Sequence, residues 1–278
     1  KMKRRISKSI LLLIMCFFAL IAIFPILMML MNSFKTGAEL AANAWGLPEN
    51  WSLANYKNLL TYSSGQLVRA FGNSVFVSVV YTVLTLFISS LAAYAFSKFR
   101  FKGKNVIFLL LLMTMMIPAE ITIPAIYLMF SKVHMLNTYS IQIFPQIANV
   151  FCLFMFKQYM DSLPDSLLEA AKLDGAGEMQ VYRKVLLPLV SPAMGAMAIL
   201  VFLGKWNDYL WPSMLLTKTE VMPIMQILPT LNTGNTQWSV PWELVMAGCA
   251  VVTIPLIILF FIFQDEFMSS VTIGAVKE

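Results

Sequence analysis

Charge is scarce in this sequence: 12% of its 278 residues are Asp, Glu, Lys or Arg, where a soluble domain carries about a quarter. That deficit, with 59% hydrophobic residues and a mean hydropathy of +0.75, argues against a water-soluble fold and points to a bilayer as solvent. Histidine is nearly absent. The single His134 falls in a short loop, and one imidazole cannot build a metal site. The three cysteines, Cys16, Cys152 and Cys249, lie in different apolar runs without CxxC spacing, and read as small apolar fillers. No G-x-x-x-x-G-K-[ST] phosphate loop occurs, since Gly103-Lys104 and Gly204-Lys205 lack the rest of it. No Ser/His/Asp set and no paired carboxylates appear. The chain therefore reads as no enzyme, and no cofactor or metal is expected on it. The net charge is +6, but the basic residues form no patch with interleaved aromatics, which excludes a nucleic-acid surface.

What the sequence has is long apolar runs. Crossing about 30 Å of hydrocarbon takes about 20 residues. Six runs qualify, at about 10–31, 74–96, 106–130, 138–156, 193–216 and 244–263. The third is interrupted by Glu120 between Pro118 and Pro124, and the fourth contains Gln142, Pro145, Gln146 and Asn149. Lys1, Lys3, Arg4 and Arg5 precede the first run like a secretory signal, but the run is too long and no small-residue cleavage site follows. It reads as a retained helix, and the lysine ahead of Met2 suggests a non-native start. With a cytoplasmic N-terminus, the inner segments carry 5, 4, 4 and 1 Lys or Arg, and the outer ones 3, 1 and 1. The positive-inside rule then places both termini in the cytoplasm and turns 32–70 and 217–243 outward. The expectation is an all-α membrane protein, one domain over 1–278 with six spans. Trp45, Trp51, Tyr56 and Tyr62 in segment 32–70 read as an interfacial aromatic belt, as a docking surface for an extracytoplasmic partner, or as both.

The longest inner segment, 157–192, has its own pattern. Pro164 suits a first helical turn. Leu167, Leu168, Ala170, Ala171 and Leu173 give that helix a small and apolar face, and Asp174-Gly175 breaks it. A second helix is expected over 176–186, after which Pro188 and Pro192 interrupt the chain. Ala170, Ala171 and Ala176 let another surface approach closely. The product is either a rigid knuckle able to transmit a push or an amphipathic loop lying on the membrane.

Charges inside a span cost about 2.5–3.5 kcal/mol each on insertion scales and usually face a polar interior. The fifth run offers Lys205 and Asp208 at i, i+3, among Trp206, Asn207 and Tyr209. They form either a self-satisfied pair between helices or the wall of a substrate pathway, for which Glu120, Asn149, Gln146 and Gln142 are further candidates. Amides, carboxylates and aromatics together suit the hydroxyl edges and C–H faces of sugars.

The segment Glu169-Ala170-Ala171, Asp174-Gly175-Ala176 and Leu187-Pro188 resembles the EAA loop of binding-protein-dependent ABC importer permeases. Asn73-Ser74, Ala92-Ala93-Tyr94-Ala95-Phe96, Phe101-Lys102-Gly103, the run Trp206 to Pro212, Gln264 and Gly274-Ala275-Val276-Lys277 resemble the oligosaccharide branch, of maltose-transporter type. The resemblance implies the type I importer fold in the inner membrane, with this chain as the shorter of two different permeases. Glu169, Ala170, Ala171, Asp174, Gly175 and Ala176 would dock on an ATPase subunit. Gly274, Val276 and Lys277 would reach the interface of the ATPase dimer. Two ATPase subunits would bind ATP and Mg, and an extracytoplasmic binding protein would deliver the sugar, whose contacts the larger permease can dominate. The tail departs from the pattern at Glu278 and at Asp265-Glu266. The same machine could carry glycerol phosphodiesters, polyamines or acidic oligosaccharides. A gradient-driven transporter would be expected to show inverted repeats with paired broken helices, and none is visible. A non-transporting scaffold has no use for a polar membrane interior.

Overall fold

The computed structural model describes the backbone of residues 2–232 and 240–275 and the side chains of 8–232 and 240–264. Among the described residues every regular element is helical, as a chain in hydrocarbon requires, because a helix satisfies its backbone polar groups internally. Helix α1 (Met2–Asn32) exposes Leu13, Phe18 and Leu20 alike, which suits a helix bathed in lipid. The short α2 (Gly37–Ala42) and α3 (Ala54–Thr61) follow. Helix α4 (Gln66–Lys98) has 33 residues. At about 1.5 Å each it is some 50 Å long, so it overruns the expected span 74–96 at both ends.

The third and fourth runs are broken helices. α5 (Lys104–Thr114) and α6 (Ile123–Lys132) meet at a 90° bend. Pro118 is extended there, with ψ 128°, and the residue before a proline is disfavoured in a helix. Pro124 sits in the first turn of α6, where its missing N–H costs nothing. α7 (Tyr139–Ile143), extended by a 3-10 turn to Gln146, and α8 (Val150–Asp161) flank a 46° bend at 147–149. Asn149 caps α8 by accepting the Cys152 N–H at 2.9 Å. Among the described residues, four helices are long and apolar enough to cross a membrane, or up to six if each bent pair is one span.

The inner segment corrects one expectation. α9 (Ser166–Leu173) is followed by α10 (Glu178–Gln180), a π-helical stretch Val181–Leu186 and α11 (Leu187–Trp206). The last three form one 29-residue run. Pro188 and Pro192 do not interrupt it. Pro188 sits in the first turn of α11, next to a π stretch whose bonding register is already shifted, and Pro192 forgoes only one bond. The helix expected at 176–186 begins at Glu178, with Gly177 as its N-cap. The chain continues through α12 (Leu210–Leu215), α13 (Ile224–Ile227) and α14 (Trp242–Ala275).

Two compact units result. The first comprises 1–69 and 227–254, around buried Leu59, Leu67, Ile227, Leu231, Ala247 and Ala250. Gly248 permits this packing, since a Cβ there would lie 2.8 Å from Leu228 Cδ1. Buried Lys35 donates to the Asn43 and Gly46 carbonyls at 2.7 Å each, and Asn55 to those of Ser33 and Lys35 at 2.8 Å. These bonds fasten the 33–55 segment. Trp45 stacks on Phe24 at 6.3 Å. The second unit, 70–226 and 255–278, has Tyr81, Phe156, Met160, Tyr182, Leu186 and Val190 at its core. α8 packs on α11. The small buried Ser74, Ser78, Thr85 and Ser89 of α4 suit close helix approach.

Candidate functional site

The second unit carries two features of chemical interest. The first is the knuckle at α9. Gly175 follows it with φ +83°, a left-handed conformation that favours glycine. Leu168 is buried and Ala171 half-buried, whereas Glu169, Ala170 and Asp174 are exposed. Leu173 is 89% exposed, so α9 offers a free face of small and apolar residues. Its other side is tied down. Lys98, in the last turn of α4, pairs with Asp165 at 2.6 Å and donates to the Leu163 carbonyl at 2.9 Å. That ammonium holds the Asp165 carboxyl below the usual carboxylate range. Ser97 donates to Asp161 and Tyr94 to Glu178, both at 2.6 Å. Ser90 and Tyr182 share a bond of 2.7 Å. Lys172 clasps Glu178 across the bend. Exposed ion pairs add little stability singly, but together these contacts join the knuckle to α4, while the chain itself joins it to α11.

The second feature is a cavity of about 330 Å³, assembled where the helices break. Tyr81 comes from α4, Glu120 from the α5–α6 bend, Gln146 and Asn149 from the α7–α8 bend, Lys205 from the end of α11, Asp208 from the turn after it, and Trp211 from α12. Lys205 Nζ lies 2.9 Å from Asp208 Oδ2, 3.5 Å from Gln146 Oε1 and 5.3 Å from the Tyr81 ring centre. Asp208 Oδ1 accepts the Trp211 N–H at 3.2 Å. Tyr81 donates to the Gln146 carbonyl at 3.0 Å. The cation is thus occupied internally, and the Glu120 carboxylate has no hydrogen-bond or ion-pair partner among the described residues.

Of the residues singled out in sequence, Gln142 is tied to the Val221 carbonyl at 3.0 Å and five, Lys205, Asp208, Glu120, Gln146 and Asn149, line this one cavity. Trp206, Asn207 and Tyr209 do not. Trp206 is buried against Phe202 and Phe71, each ring at 5.7 Å, while Asn207 and Tyr209 are exposed elsewhere. Trp206 is turned from Lys205 by the about 100° between helical neighbours, while Asn207 and Tyr209 lie in the turn after α11, which folds only Asp208 back onto Lys205. Tyr81, Phe151 and Trp211 also line the cavity and were not singled out. The hint for Tyr81 was a phenol in the uncharged second run, beside Ser78, Thr82 and Thr85. Gly274 lies near the end of α14, and Val276 and Lys277 fall outside the described residues.

A family model described as "Binding-protein-dependent transport system inner membrane component" matches residues 85–272. The chain belongs to that family. The permease is 38% identical over 266 residues to the arabinooligosaccharides transport system permease protein AraQ of Halalkalibacterium halodurans, covering 94% of this chain and 93% of that one. It is 28% identical over 277 residues to the lactose transport system permease protein LacG of Rhizobium radiobacter, covering 99% and 98%. Among solved structures it resembles a chain of a bacterial ABC transporter involved in the import of the acidic polysaccharide alginate. The TM-score is 0.83 at 25% identity, covering 96% of this permease and 98% of that chain.

Proposed function

We propose that this permease is one of two different membrane-spanning subunits of an ATP-driven importer, and that it passes an oligosaccharide delivered by an extracytoplasmic binding protein. All of 1–278 would form one transmembrane domain of six spans, with both termini and the 157–192 segment in the cytoplasm. Two ATPase subunits would bind ATP and Mg and receive the face Glu169, Ala170, Ala171, Asp174, Gly175 and Ala176, with Gly274, Val276 and Lys277 reaching their interface. The observation that carries the reading is the mechanical connection. The knuckle is bonded to the end of α4, and its second arm runs without a break into α11. Both helices bear cavity residues, Tyr81 on one and Lys205 on the other. A push on α9 therefore moves the cavity wall. The energy enters as differential binding of ATP to two arrangements of the subunits.

The cavity supports a neutral sugar over an acidic one. Its lysine is held by Asp208, and Glu120 adds an uncompensated carboxylate, so a uronate would meet net negative charge. The amides and the Tyr81 and Trp211 rings suit a neutral saccharide. Affinity purification from native membranes with mass spectrometry tests the assembly. A second permease and an ATPase with a phosphate loop should co-purify, and recovery of this chain alone would refute the reading. Uptake abolished by ionophores at constant ATP would indicate a gradient-driven transporter instead.

A further inference from the structure

A cavity of about 720 Å³ opens in the first unit, beside α2 and the start of α14, and Asn32, Gly37, Leu40, Ala44, Trp242 and Glu243 line much of it. Its polar chemistry is unfinished. Asn32 is 7% exposed, and its buried Oδ1 has no donor. A buried acceptor left unpaired costs about 1–3 kcal/mol. The Glu243 carboxylate, in the first turn of α14, has no partner among the described residues. Gly37 keeps the space beside it open, since a Cβ there would lie 3.0 Å from Glu243 Oε1. The nearby cation cannot fill it: Lys35 is buried and spends its Nζ on the Asn43 and Gly46 carbonyls. Those bonds instead hold the segment that forms one wall. The opening thus has one uncompensated negative charge, one unpaired carbonyl-type oxygen and the apolar flanks Leu40 and Met246. An aliphatic stem ending in a cation matches all three, and the Trp242 ring adds a cation–π surface.

We propose that this cavity receives a Lys or Arg side chain of the extracytoplasmic binding protein when that protein docks. The inference rests on the functional reading above, which turns 32–70 and the start of α14 outward. The test uses the full complex, this permease with its partner permease and two ATPase subunits, in nanodiscs. ATP hydrolysis is followed against binding-protein concentration. Glu243→Gln should raise the concentration for half-maximal stimulation about tenfold, the loss of one charge-assisted bond, and Glu243→Lys should raise it further. Ala44→Trp, which plugs the opening without altering charge, should do the same. Unchanged half-maximal concentrations in both Glu243→Lys and Ala44→Trp would overturn the proposal. So would an effect confined to phosphatidylethanolamine nanodiscs and absent in phosphatidylcholine, because the cavity would then hold a lipid amine. A parental complex that the binding protein does not stimulate would refute the functional assignment itself, and this site with it.

Discussion

Lys205 and Asp208 show how a charge survives in a membrane. Each alone is expensive in hydrocarbon, and each is satisfied by the other and by Gln146 and the Trp211 backbone. Breaking a buried pair by removing one partner costs about 3–5 kcal/mol, whereas replacing both with apolar residues is often neutral. Asp208→Asn should therefore sharply lower the thermal stability of the detergent-extracted permease. The double variant Lys205→Met with Asp208→Leu should recover most of that stability while uptake stays impaired, because the cavity wall loses its polar groups. Thermal unfolding and radiolabelled uptake check the two parts. The pair was legible in sequence, because two charges in an apolar run demand a polar interior. Which of their neighbours shared that interior was not. Trp206 and Tyr209 belong to the same contiguous stretch, and only the end of α11 at Trp206 and the turn after it show that they face elsewhere.

At the scale of elements, the bend after α9 depends on a backbone conformation more than on contacts. Gly175 has φ +83°, and a Cβ there would meet nothing within 4 Å. A substitution is penalised by the backbone alone, and most for β-branched residues. Gly175→Val should abolish uptake while the protein still inserts, whereas Gly175→Asn, which tolerates the left-handed region, should retain much of it. Uptake assays alongside membrane immunoblots decide this, and normal uptake by Gly175→Val would refute the coupling role. The π stretch Val181–Leu186 invites a sharper test. A π turn behaves as a one-residue insertion in an α-helix. Deleting Arg183 should let the stretch wind as α-helix with its flanks in their present phase, so uptake should persist, whereas deleting Ala196 from the regular α11 should turn the knuckle by about 100° relative to Lys205. In the Ala196 deletion, ATP hydrolysis by the assembled complex should then run without sugar uptake. The bend was readable from Asp174-Gly175. The continuity of α10 with α11 was not, because proline arithmetic points to a break there and only the π register reconciles Pro188 with one long run.

At the scale of the molecule, the basic residues set the orientation. Lys102, in an exposed loop, should face the cytoplasm, and Glu49, exposed in the 32–70 segment, should face outward. In a cysteine-free background, a membrane-impermeant maleimide should label Glu49→Cys in intact cells, and Lys102→Cys only after permeabilisation. The reverse pattern would invert the topology and place the knuckle on the wrong side for any ATPase.

The sequence by itself determined that the chain lives in a bilayer, since charge at 12% leaves long runs that water cannot solvate. It also determined where the knuckle bends and which charges need shelter, because these follow from local chemistry: a glycine that accepts positive φ, and ions that cannot face lipid. Tertiary structure alone decided how far the third and fourth runs bend, by 90° and 46°. It also decided that Tyr81, Glu120, Gln146 and Trp211 meet around Lys205, and that α4 and α11 both hold the knuckle. Those outcomes depend on which residues far apart in the chain become neighbours, and no local preference specifies that.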